Sequence, residues 1–127
     1  MSGNPVTWFE IYVQDVQRAK AFYEKTLAVR LGKLETASAD VTEMWTFPMG
    51  KETYGATGAL VKMDGGSSGG GNSTIVYFEC NDCAVEAGRV VANGGQIRKD
   101  KLAIPPHGFM ALAVDTEGNV IGLHSMK

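Results

Sequence analysis

Phe9-Glu10-Ile11-Tyr12-Val13-Gln14-Asp15 and Val76-Tyr77-Phe78-Glu79-Cys80-Asn81-Asp82 stand 67 positions apart and have the same character. Each alternates apolar and polar residues, as a half-buried strand does, and each ends at an Asp that can cap a following helix. A unit that occurs twice in a short chain points to two similar modules folded around a shared surface. That duplication decides the fold.

Working outward from the first copy, residues 6–13 put Trp8, Glu10 and Tyr12 on one face and Phe9, Ile11 and Val13 on the other. Asp15 caps a helix expected to run to about Ala28. Val16, Ala19, Phe22, Tyr23 and Leu27 recur at helical spacing and predict one buried stripe above Phe9, Ile11 and Val13. Three strands are expected next, near 31–36, 42–48 and 57–63, with turns at 37–40 and 50–55 between them. Asp64-Gly65-Gly66-Ser67-Ser68-Gly69-Gly70-Gly71-Asn72-Ser73 reads as a flexible linker. It lacks the Gly-Lys-Ser/Thr ending of a phosphate-binding loop and leads into a strand rather than a helix.

The second copy repeats the order. A strand is expected over 74–80, a helix from Asp82 to about Asn93 stopped by Gly94-Gly95, and strands near 96–101, 109–114 and 120–126. Pro105-Pro106-His107-Gly108 and Asp115-Thr116-Glu117-Gly118-Asn119 supply the turns. The expected fold is therefore α+β, one domain over 1–127, with module 1 at 6–63, a linker at 64–73 and module 2 at 74–127.

Composition narrows the function classes. The 127 residues suffice for one sizeable core, and 44% hydrophobic with 20% charged residues is ordinary for a globular protein. A net charge of −2 without a Lys/Arg cluster removes the footprint of a nucleic-acid binder. No apolar run approaches the roughly 18 residues that span a bilayer, and the N-terminal residues do not resemble a signal peptide. A cytoplasmic protein is expected, with neither nucleic acid nor membrane as partner. Cys80 and Cys83 form a C-x-x-C pair. Zinc would need two more ligands that no second Cys pair supplies, and Cys80 falls on the helix-facing side of its strand, so buried packing is the expected role.

Val13-x-Asp15-x-x-Arg18-Ala19-x-x-Phe22-Tyr23-x-x-x-Leu27 resembles the first-helix signature of the vicinal oxygen chelate superfamily, which includes glyoxalase I, extradiol dioxygenases and bleomycin-binding proteins. Asp115-Thr116-Glu117-Gly118-Asn119-Val120-Ile121-Gly122-Leu123 resembles its closing hairpin. The resemblance covers nearly the whole chain. It implies two tandem βαβββ modules forming half-open sheets around a cavity, and assembly as a homodimer. Trp8-Phe9-Glu10-Ile11, Gly55-Ala56-Thr57-Gly58-Ala59-Leu60 and the Gly122-bearing hairpin look like the bacterial glyoxalase-related branch.

Metal-dependent members of the superfamily hold a divalent ion between two vicinal substrate oxygens. The positions that the resemblance assigns to their ligands hold Trp8, Gly58, Ile75 and Gly122 here, none a metal donor. No metal and no other cofactor is expected. What remains is the inward face: Trp8, Glu10 and Tyr12 from one module, with Ile75, Tyr77 and Glu79 from the other. His124 shares the face of Gly122 and can reach the same space. Flat aromatic walls carrying a few polar groups suit a small, partly aromatic molecule. The expected ligand-binding residues are thus Trp8, Glu10, Tyr12, Tyr77, Glu79 and His124. A lyase or dioxygenase with a relocated metal site is the alternative, and whether a reaction is catalysed stays open, as do the roles of Trp45, His107 and the Cys80/Cys83 pair, for which a redox role with Cys83 in the first helical turn is the lesser reading.

Overall fold

The computed structural model describes residues 5–35, 41–50, 55–63 and 73–127. Except for Ser73, the expected linker lies outside them, as do the 37–40 turn and most of the 50–55 turn. The element order is β1 (Val6–Tyr12), α1 (Val16–Leu27), β2 (Gly32–Lys33), β3 (Val41–Thr46), β4 (Thr57–Met63), β5 (Thr74–Glu79), α2 (Cys83–Ala87), β6 (Gln96–Ala103), β7 (Phe109–Val114) and β8 (Val120–Ser125). The order strand, helix, three strands occurs twice, giving the expected α+β fold of βαβββ modules. The chain divides into two compact units. One runs from Trp8 to Thr74, and the other joins Ile75–Lys127 to the start of β1.

In the Trp8–Thr74 unit, β1 pairs in parallel with β4, β4 antiparallel with β3, and β3 antiparallel with β2. Asp15 caps α1 by accepting the Arg18 amide at 3.0 Å, the interaction expected of an Asp between strand and helix. The helix ends on Ala28 in the left-handed region, φ 54°, whose N–H returns to the Glu24 carbonyl. Val16 is buried, Ala19 and Tyr23 are half-buried, and Tyr23 meets Phe47 edge-on at 5.7 Å; Phe9 lies 5.5 Å from the same ring.

The expected stripe is too wide, because Phe22 is 59% and Leu27 55% exposed. At about 100° per residue Phe22 lies well off the Val16–Tyr23 line. Leu27 is in phase but is the last helical residue. β2 is also shorter than expected, only Gly32–Lys33, because Leu31 turns into the core at 3% exposure.

The unit containing Ile75–Lys127 repeats the pairing: β5 parallel to β8, β8 antiparallel to β7, β7 antiparallel to β6. Asp82 caps α2 through the Ala84 amide at 3.0 Å and is bridged at 2.8 Å by Lys101. The helix expected to reach Asn93 stops at Ala87, and a 3-10 turn at Val91–Asn93 follows. Gly88 and the β-branched pair Val90-Val91 are poor helix formers, which accounts for the break. Cys80, Cys83, Ala111 and Leu123 form the core under α2, packed by Phe78, Ala87 and Phe109. Both cysteines are buried free thiols, as the strand-face reading expects. Burial, with the negative charge of Glu86 behind it, pushes the Cys80 thiol up to about 11.

Candidate functional site

Alternation along β1 carries Trp8, Glu10 and Tyr12 to one face, and their side chains meet there. The Glu10 carboxylate accepts the Trp8 indole N–H at 3.1 Å and the Tyr12 hydroxyl at 2.6 Å. All three are half-buried. The polar edges of two aromatic side chains from one strand converge on one carboxylate of the same strand. Trp45, which the sequence left open, lies elsewhere. It pairs with Leu60, its indole donates to Glu43 at 2.8 Å, and Lys20 of α1 lies 4.8 Å from its ring centroid. Trp45 therefore belongs to the helix side of the sheet.

In the other unit the parallel β5–β8 register sets Tyr77 beside Gly122 and Glu79 beside His124. His124 Nδ1 lies 2.8 Å from Glu79 Oε1, and its Nε2 lies 2.6 Å from the backbone carbonyl oxygen of His107. Thr7 donates its hydroxyl to the same Glu79 oxygen at 3.2 Å. The imidazole thus faces an acceptor at each nitrogen. Tyr77 is buried, with its ring directly over Gly122: a Cβ at Gly122 would stand 2.6 Å from Tyr77 Cγ and closer still to Cδ2 and Cε2.

The matching registers correct one sequence-level alignment. Glu10 pairs with Ala59 as Tyr77 pairs with Gly122, so the module 1 counterpart of Gly122 is Ala59 and not Gly58. Gly58 pairs with Phe9 on the helix side, where a Cβ would meet the Phe9 ring at 2.6 Å from Cγ. Ala59 is no metal donor either, so the reading of those positions as donor-free stands with one residue exchanged. Among the described residues no three His, Cys, Asp or Glu side chains come together in a way that could hold a metal ion.

The sequence reading missed Thr7 and the His107 carbonyl. The first lies on the opposite alternation class from Trp8, and the second is a backbone group that side-chain chemistry does not advertise. His107 itself keeps its side chain exposed. No helix among the described residues is long and apolar enough to cross a membrane.

No protein-family model matches the chain, and no curated protein sequence matches it. Solved structures do. A hypothetical protein from Bacillus halodurans C-125 is similar at 16% identity and a TM-score of 0.73, over 99% of this chain and 96% of that one. Methylmalonyl-CoA epimerase from Mycobacterium tuberculosis is similar at 13% identity and a TM-score of 0.68, over 97% and 88%. A Streptomyces coelicolor methylmalonyl-CoA epimerase variant in complex with 2-nitronate-propionyl-CoA aligns at 16% identity and 0.68, over 98% of both chains. At such identities the likeness speaks for fold alone, the fold that this chain shares with those structures.

Proposed function

We propose that this chain is a metal-independent binding protein of the glyoxalase-related branch of the vicinal oxygen chelate superfamily, which takes a small, partly aromatic molecule against the face formed by Trp8, Glu10 and Tyr12. The observation that carries the reading is the convergence of the Trp8 indole and the Tyr12 hydroxyl on the Glu10 carboxylate. Two aromatic bodies pre-positioned around one polar group offer stacking surface at little cost in side-chain ordering. Tyr77, Glu79 and His124 form the second set of proposed contacts, and the protein acts as a cytoplasmic homodimer. Light scattering showing only monomer at micromolar concentration would remove the dimer from this proposal.

The chain has two tryptophans, so Trp45→Phe leaves Trp8 as the sole indole reporter. A panel of flat aromatic molecules is titrated against that variant by fluorescence and against the parent and Trp8→Ala by thermal shift. Stacking on Trp8 contributes about 0.5–1.5 kcal/mol beyond burial, a two- to tenfold weaker affinity once the ring is removed. Molecules that quench Trp8 and lose their thermal shift in Trp8→Ala support the proposal. Hits equally strong in both proteins would place Trp8 outside the site. Elemental analysis finding one transition-metal ion per chain would put a metal-dependent lyase or dioxygenase in its place.

A further inference from the structure

We infer that Glu79 and His124 form a proton-dependent latch that holds the turn at residues 104–108. The turn has an internal scaffold: the His107 amide donates to the Ile104 carbonyl at 2.7 Å and the Ile104 amide to the Gly108 carbonyl at 2.8 Å. A side-chain tether to β8 is the 2.6 Å bond between His124 Nε2 and the His107 carbonyl. A carbonyl oxygen only accepts, so Nε2 must carry a proton.

That requirement fixes the other nitrogen. Nδ1 lies 2.8 Å from Glu79 Oε1, and an ionised carboxylate also only accepts. A neutral imidazole with an ionised Glu79 has one proton for two acceptors. Either the tether to His107 or the bond to Glu79 must then become a contact between two lone pairs. Both bonds form together only when the pair holds one further proton, as imidazolium with carboxylate or as neutral imidazole with carboxylic acid. The count is the same in both cases, so the latch does not depend on which partner carries the proton.

Several groups face the pair among the described residues. β5 presents Glu79 and, two residues earlier on the same face, the Tyr77 phenol. β7 places Met110 opposite His124, the turn contributes His107, and the start of β1 contributes the neutral Thr7 hydroxyl on Glu79. Histidine is the side chain whose charge change ordinarily falls in the physiological range. With the proton lost, the one that remains favours the charge-assisted bond to the ionised Glu79, and the His107 carbonyl loses its donor.

The test uses His107→Ala, which keeps the backbone carbonyl and leaves His124 as the only histidine. Its ring is titrated by NMR while amide exchange at residues 104 and 107, corrected for intrinsic base catalysis, is followed over the same pH range. Protection is expected to fall roughly tenfold as the ring loses its proton, the size of one ordinary hydrogen bond. In the same background, Glu79→Gln supplies an amide N–H that donates to a neutral Nδ1, so the tether should persist and protection should no longer follow pH. Protection that stays constant while the ring titrates would overturn the latch, as would a Glu79→Gln variant whose protection still falls with pH. Should Glu79→Gln not fold, the titration in the His107→Ala protein decides alone.

Discussion

Gly122→Ala adds one methyl group at the point where the structure has least room for it. The Cβ would lie 2.6 Å from Tyr77 Cγ and nearer to two further ring atoms. Cγ sits at the root of the side chain, so the ring cannot swing its tip aside and must leave its rotamer altogether. Tyr77 is only 6% exposed, which leaves little space for that movement. Overpacking of this kind costs about 1–3 kcal/mol. Replacing a strand glycine recovers about 0.5–1 kcal/mol of backbone entropy. The net expectation is a loss of about 1–2 kcal/mol, or roughly 3–10 °C in Tm for a chain of this length. Urea denaturation gives the free energy directly. In a Tyr77→Ala background the clash is gone and Gly122→Ala should become neutral or stabilising, so the double-mutant cycle yields a coupling of about 1–3 kcal/mol. An alanine that is tolerated equally in both backgrounds would refute the packing argument. If the packing argument holds, Gly122→Glu alone also fails to bind a transition metal, because the ring occupies the space its side chain needs.

Two further outcomes follow from buried groups. Ser125 is fully buried, accepts the Cys83 amide at 3.0 Å and donates to the Lys127 carbonyl at 2.8 Å, so Ser125→Ala should cost about 1–3 kcal/mol in urea denaturation by stranding the amide at the start of α2. The Cys80 thiol, raised from 9.0 to about 11 in the folded protein, binds its proton more tightly there than in the unfolded chain; stability should therefore hold below pH 9 and decline as pH rises through 11, with Cys80→Ala flattening that alkaline limb.

Local signals in the sequence were strong where the physics is local. An Asp between an alternating strand and an amphipathic stretch marked both helix starts, and both carboxylates do cap. The strands at Thr57–Met63 and Phe109–Val114 begin and end where hydrophobic pattern and turn residues put them. Helix length in the second module was less legible, because Gly88, Val90 and Val91 weaken a helix without forbidding one. Pairing register was not legible at all. Whether Glu10 sits beside Gly58 or Ala59 depends on how two strands about 50 residues apart slide in parallel, and a shift of one residue exchanges faces. The same holds for the latch, since Glu79 and His124 are 45 positions apart and meet only through the β5–β8 register.

That register also changes what the missing metal donors mean. Each module sets a small residue on its closing strand beside a large one on its opening strand: Ala59 beside Glu10, and Gly122 beside Tyr77. Ala59 is fully buried, and above Gly122 the Tyr77 ring already fills the space into which a carboxylate would project. Above Gly122 the opening strand's side chain occupies the closing strand's volume. The carboxylates Glu10 and Glu79 stand on the opening strands, and His124 of β8 adds an imidazole. Glu10 is held by an indole and a phenol, and Glu79 by an imidazole and a hydroxyl. On the readings proposed above, the two modules carry the same strand order into different chemistry, with ligand recognition at Trp8, Glu10 and Tyr12 and a proton-dependent latch at Glu79 and His124.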